Sequence, residues 1–134
     1  MTKKEAIWRE ILFQARVNKK TVFTQKELAA DFGLSLSTVF NSLKTPREAH
    51  IVLVSGRNFR LESYAKLLYL WATERSLARE LLASFRVPQN ASDIESSMPP
   101  DTLFGLYSGV SYEFGTTPAD YDHIYVYAEP RRRR

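Results

Sequence analysis

The chain has 134 residues, room for one ordinary domain or for a small domain joined to a second, lesser unit. Apolar residues make up 44% and charged residues 25%, a balance that excludes the disordered class and suits a folding globular chain. With no cysteine, disulfides and thiolate metal sites are excluded, and His50 and His123 are the only imidazoles. The net charge of +4 is unevenly spread. Residues 1–62 hold eleven Lys/Arg against six Asp/Glu, residues 63–130 hold four against nine, and Arg131–Arg134 close the chain. A basic first half suits a surface that faces phosphates, and the acidic second half suits a different partner. No apolar run is long enough for a signal peptide or a membrane span, so the expectation is a cytoplasmic protein with no membrane partner.

Ile7, Trp8, Ile11, Leu12 and Ala15 recur at helical spacing between Lys3 and Arg16, which predicts an amphipathic first helix ended by Asn18-Lys19-Lys20. Val22 and Phe23 read as a short apolar link. Thr24-Gln25-Lys26-Glu27 has the form of a capping box and starts a second helix that runs to about Phe32, where Gly33 can close it in a left-handed conformation. Ser35 is the N-cap of a third helix from Leu36 to about Lys44, and Thr45-Pro46 is expected to stop it. Ile51-Val52-Leu53-Val54, a turn at Ser55-Gly56-Arg57-Asn58, and Phe59-Arg60-Leu61 form a β-hairpin. From Tyr64 to Phe85 the apolar residues return to helical spacing with a polar interruption at Glu74-Arg75-Ser76, and Pro88 ends the segment. Residues 89–100 read as a loop with at most one turn around Ile94, residues 103–112 as either helix or strand, and residues 123–127 as a strand.

Helix, capped helix, short turn, helix and hairpin follow in the order of a winged helix-turn-helix, and residues 24–43 resemble that family closely. On the third helix Leu36, Val39, Phe40 and Leu43 form the expected packing stripe, which leaves Ser37, Thr38, Asn41 and Lys44 on the opposite face. The resemblance implies binding of double-stranded DNA. Asn41 would pair with adenine, Ser35, Ser37 and Thr38 would meet base edges or phosphate, and Lys44 would sit on phosphate. Arg57, Asn58 and Arg60 on the hairpin would reach an adjacent groove or the backbone. The same pattern is also that of a solvated helix face beside a surface loop. His50 reads as a packed or exposed side chain, with no metal assigned to it, and the Arg131–Arg134 run as a solvated tail that can add phosphate attraction.

In the second half, Leu103-Phe104-Gly105-Leu106-Tyr107-Ser108-Gly109 followed by Asp120-Tyr121-Asp122 resembles the core of a nucleotidyltransferase. That resemblance implies Ser108, Asp120 and Asp122 as catalytic residues with Mg²⁺ as cofactor. The pattern is damaged, because Ser108 precedes its glycine and no third carboxylate follows at a suitable distance. The order of elements also resembles AbiEi-type antitoxin regulators, in which the second domain is inactive. A turn with its acids in water is the plainer reading of Asp120 and Asp122. Tyr107, Tyr112, Tyr121, Tyr125 and Tyr127 suit a packed surface, a protein partner or a homodimer contact.

The expected fold class is therefore α+β: a winged helix-turn-helix over residues 1–62, a helical connector over 63–88, and a small, incomplete α/β segment over 89–134. The expected function is sequence-specific DNA binding for transcriptional regulation, including antitoxin-type autorepression. The alternatives are a metal-dependent nucleotidyltransferase with a nucleic-acid-binding appendage and a protein-interaction adaptor built on the same fold.

Overall fold

Thr2 opens the first helix, α1 (Lys3–Val17), in the computed structural model, which describes residues 1–129 of the chain. Its hydroxyl accepts from the Glu5 backbone N–H, and the Glu5 carboxylate accepts from the Thr2 N–H at 2.6 Å, so a complete capping box starts the chain. Ile7, Trp8, Ile11 and Leu12 are buried, as their spacing predicts. Val22 and Phe23 are not a mere link: they belong to a strand, β1 (Val22–Thr24). Three residues are too few for a visible period of two. The strand is defined by its neighbours β2 (Val52–Ser55) and β3 (Asn58–Leu61), which form an antiparallel sheet in the order β1-β3-β2. Phe23 lies opposite Phe59 in that register, and the two buried rings stack 5.6 Å apart. Gly56, at φ 59°, takes the first central position of the two-residue β2–β3 turn, where a primed turn demands positive φ.

Helix α2 (Gln25–Phe32) is capped by the Thr24 hydroxyl, which accepts from Glu27 N–H at 3.0 Å, while the Glu27 carboxylate pairs with Lys20 at 2.9 Å. Gly33 ends it at φ 60°, and the bonds Gly33 N–H to Ala30 C=O and Leu34 N–H to Ala29 C=O close its last carbonyls. Helix α3 (Leu36–Ser42) then begins at the Ser35 cap.

Thr45-Pro46 does not stop the chain's helical course. A one-residue break at Leu43 ends α3, and a further short helix, α4 (Lys44–Glu48), carries Pro46 in its first turn, where the fixed φ of proline is tolerated. The missing N–H of Pro46 is the group that would have bonded the Ser42 carbonyl four residues earlier. The buried indole of Trp8 takes its place, with Nε1–H donating to Ser42 C=O at 2.8 Å. His50, exposed and at φ 53°, closes α4 in the left-handed conformation, its N–H reaching Arg47 C=O while Ile51 N–H reaches Pro46 C=O.

Helix α5 (Tyr64–Glu74) packs on α1 through Leu67, with Leu70 and Trp71 partly buried against the same core. Lys4 pairs with Glu74 at 2.8 Å and Arg75 with Glu5 at 3.4 Å. The first compact unit, Met1–Arg79, therefore runs beyond residue 62. The expected helical pattern through Phe85 does not persist: after the single turn α6 (Leu77–Glu80), residues 81–90 form neither helix nor strand and are exposed. A helical spacing of apolar residues yields a lasting helix when a surface receives the stripe, and Leu82 and Phe85 remain 61% and 84% exposed.

The second unit, Glu80–Arg134, contains α7 (Ala91–Ser97), β4 (Phe104–Gly105), α8 (Leu106–Phe114) and β5 (Tyr125–Val126). Where a loop is expected, Asn90 caps α7 by accepting from Asp93 N–H at 2.9 Å. The ambiguous residues 103–112 resolve into a two-residue strand running straight into a helix, and β4 pairs antiparallel with β5. The chain is thus a mixed α and β protein. Among the described residues no helix is long and apolar enough to cross a membrane. Arg131–Arg134 lie outside the described residues.

Two outcomes follow from this packing. Trp8→Phe leaves the Ser42 carbonyl buried and unpaired, at a cost of about 1–3 kcal/mol in urea unfolding, in addition to lost ring contacts. Adding Pro46→Ala restores a backbone N–H to that carbonyl, so the double variant should lose less than the sum of the singles; strict additivity would show that the indole bond carries no such role. Acid sensitivity is the second outcome. The Thr2 N–H bond holds the Glu5 carboxyl below its usual 4.5; burial opposes this, and the Thr2 hydroxyl and Arg75 support it. A depressed carboxylate pKa stabilises the fold above the unfolded value and loses that contribution as pH falls through the folded one. Glu5→Gln should therefore flatten the loss of stability below about pH 4.5, measured by urea midpoints along a pH series.

Candidate functional site

Helix α3 is held from one side only. Val39, Ser42 and Leu43 are buried, against α2 and α1, and this fixes which residues the helix turns outward. At 3.6 residues per turn Leu36, Phe40, Ser37 and Asn41 fall in one arc of about 140° away from the buried line. All four are exposed, and Lys44 follows them, exposed, after the break at Leu43. The expected packing stripe is therefore corrected: Val39 and Leu43 pack, whereas Leu36 and Phe40 are 55% and 49% exposed. A seven-residue helix packed against α1 and α2 has a buried arc too narrow for all four apolar residues, and the small Ser42, outside the expected stripe, is buried beside Trp8.

The structure sorts the expected polar contacts. Ser35 is spent on capping: its hydroxyl accepts from Thr38 N–H at 3.2 Å and lies 2.9 Å from the hydroxyls of Ser37 and Thr38. Thr38 is half-buried on the flank, away from the exposed arc. Ser37, Asn41 and Lys44 remain on the open face, and among the described residues the side chains of Asn41 and Lys44 have no hydrogen-bond or ionic partner. On the hairpin Arg57 stands at the turn and Asn58 at the first residue of β3, both exposed, while the exposed Arg60 is paired with Glu62. Arg47 is a residue that sequence reasoning missed. Its guanidinium lies 3.8 Å from the Phe40 ring centroid and donates to Phe40 C=O at 3.1 Å. No spacing rule marks a pair seven residues apart across a helix break.

Between Asp31 and Glu48, both exposed, the charge along the chain has one sign. From residue 32 to residue 47 there is no Asp or Glu, and Lys44 and Arg47 lie within the stretch. The first unit as a whole, residues 1–79, holds fourteen Lys/Arg against seven Asp/Glu.

In the second unit Tyr107 stacks on Tyr121 at 5.7 Å and Phe104 on Tyr112 at 5.0 Å. Tyr121 donates to Glu95 at 2.7 Å, and that carboxylate raises the phenol's pKa. A shallow cleft of about 270 Å³ is lined by Tyr107, Asp120, Tyr121, Asp122, His123 and others. Asp122 is paired with His123, whose ring bond lowers the carboxyl's pKa, and its side chain is 91% exposed. Ser108 does not join these acids at the cleft wall; it is 1% exposed, on the inner side of α8. Among the described residues no group of three or more His, Cys, Asp or Glu is placed to hold a metal ion. Two exposed acids, one engaged by histidine, with the serine turned inward do not fit the donor set for Mg²⁺ and a triphosphate. Gly109 is fixed by packing, since a Cβ there would stand 2.8 Å from the Phe104 carbonyl.

Comparison with family models, with curated proteins and with solved structures finds no match for this chain.

The Gly109 contact gives a direct test of the second unit's architecture. Gly109→Ala forces β4 away from α8, at a cost of about 1–3 kcal/mol. Backbone amides of the Phe104–Val126 and Gly105–Tyr125 pairs should lose protection from hydrogen exchange, and unchanged protection would mean that α8 does not press on β4 as described.

Proposed function

We propose that the first unit is a winged helix-turn-helix that binds double-stranded DNA, with α3 as the helix that enters the major groove and the β2–β3 hairpin as the wing. The observation that carries this reading is the division of α3. One side is locked into the core by Val39, Leu43 and the Trp8–Ser42 bond, and the other presents Ser37, Asn41 and Lys44 to solvent in a stretch free of acids. A rigid helix with short polar side chains and a cation at its end matches what base-edge and phosphate contacts require. Asn41 is the candidate adenine reader, Ser37 a second base or phosphate contact, and Lys44 a phosphate contact. Arg57 and Asn58 are candidate wing contacts. Ser35 and Thr38 act through the cap that sets the start of α3, and Arg60 reaches DNA only by leaving Glu62. Site-specific binding of this kind supports a role in transcriptional regulation, antitoxin-type autorepression included.

Selection of bound sites from a random duplex library tests the proposal, followed by anisotropy titrations with the recovered duplex. Asn41→Ala should weaken that duplex by about 1–3 kcal/mol and relax the choice at one base pair. Lys44→Ala should weaken all duplexes alike and reduce the slope of log affinity against log salt by about one. An inverted repeat among the selected sites, with half-sites about one helical turn apart, would mark a two-fold dimer on DNA. Failure to enrich any duplex at low salt would overturn the reading and leave the protein-adaptor alternative.

A further inference from the structure

Two apolar side chains stand along one edge of the face assigned to DNA. Phe40 and Leu36, one turn apart, are 49% and 55% exposed, with Ser37 and Asn41 beside them on the same arc. Exposed aromatic rings carry a cost in hydration, and this one is held in place: Arg47 covers one side of the Phe40 ring and is tied to the Phe40 carbonyl. The arrangement gives a fixed apolar surface in a stretch, residues 32–47, whose charged residues are the cations Lys44 and Arg47. In the major groove the one apolar group that a base edge displays is the C5 methyl of thymine, and phenylalanine is among the side chains that meet it.

We infer that Phe40, with Leu36 beside it, is a thymine reader: it packs on the C5 methyl of a thymine in the bound duplex, adjacent to the base pair contacted by Asn41. The inference rests on the DNA-binding reading of α3 and adds to it the identity of a second base and the chemistry by which it is chosen. The occupant of this apolar patch is the methyl edge of a duplex because the charged residues of the chain between Asp31 and Glu48 are all basic, which complements phosphate. Arg47 is a positioning residue here, since it holds the ring.

The test uses the full chain and the duplex recovered from the random library, resynthesised with deoxyuridine in place of each thymine in turn. Deoxyuridine keeps the base pair and removes only the methyl group. At one or two positions the unmodified protein should bind the uracil duplex about three- to fivefold more weakly, the worth of one buried methyl. Phe40→Ala should weaken the thymine duplex and abolish the thymine-to-uracil ratio at one of those positions, while Phe40→Leu should keep part of it. Arg47→Ala should reduce the ratio without removing it. Circular dichroism of each variant reads folding separately, and the exposed ring predicts an unchanged helix content. Equal binding of thymine and uracil duplexes at every position overturns the inference while leaving the DNA reading intact, because Asn41→Ala would still relax a base pair. A ratio that persists unchanged in Phe40→Ala overturns it as well. If no duplex is enriched at all, both fall, and binding of a protein that Phe40→Ala abolishes would assign the patch to a protein partner instead.

Discussion

The first unit depends on one buried bond. Ser42 ends α3, and the carbonyl it leaves behind has no helical donor because residue 46 is proline. Trp8, 34 residues earlier in the sequence, supplies that donor from the middle of α1. In one contact a large ring fills the core, a carbonyl is satisfied in a place that water does not reach, and the rotation of α3 about its own axis is fixed. A buried, unpaired carbonyl there would be paid for in stability, so the break at Leu43, the start of α4 and the direction in which the open face of α3 points are coupled.

That coupling bears on function through geometry. A helix that reads base edges must present its side chains with little freedom, because a base contact depends on two hydrogen bonds being made at once. Here α3 is short and could not hold itself by propensity. Its position comes from the Ser35 cap at one end, the Trp8 bond at the other and the buried line of Val39 and Leu43 between them. The Gly33 turn sets its start relative to α2, and the three-stranded sheet closes the opposite side of the core through Phe23 and Phe59. The proposed reading residues are therefore carried by a helix anchored to the core at both ends.

The second unit is built differently. Its strands have two residues each, its order comes largely from aromatic stacking and from the close approach of Gly109 to Phe104, and many of its large side chains are exposed. Of the residues in its damaged nucleotidyltransferase-like pattern, Ser108 is buried on α8 and Asp120 and Asp122 are exposed.

Much of the first unit was legible in the sequence because it is written in local chemistry. Helix caps at Thr24 and Ser35, a left-handed glycine at residue 33 and a turn at Gly56 are decided within three or four residues, and their structures match. Thr2 and Glu5 carried the same signal at the amino terminus. Asn41 and Lys44 were legible as an outward polar face, since any helix that buries Val39 and Leu43 must turn them away. What tertiary structure alone decided is everything that needed a distant partner. Strand β1 exists because β3 lies beside it, α4 continues past Pro46 because Trp8 covers the orphaned carbonyl, and the predicted helix beyond Glu80 is absent where no surface receives its apolar stripe. Phe40 and Leu36 show the limit most clearly. Periodicity marks which residues share a side of a helix, but how wide a buried arc is depends on the elements packed against it, and here α1 and α2 leave room for only half of the stripe.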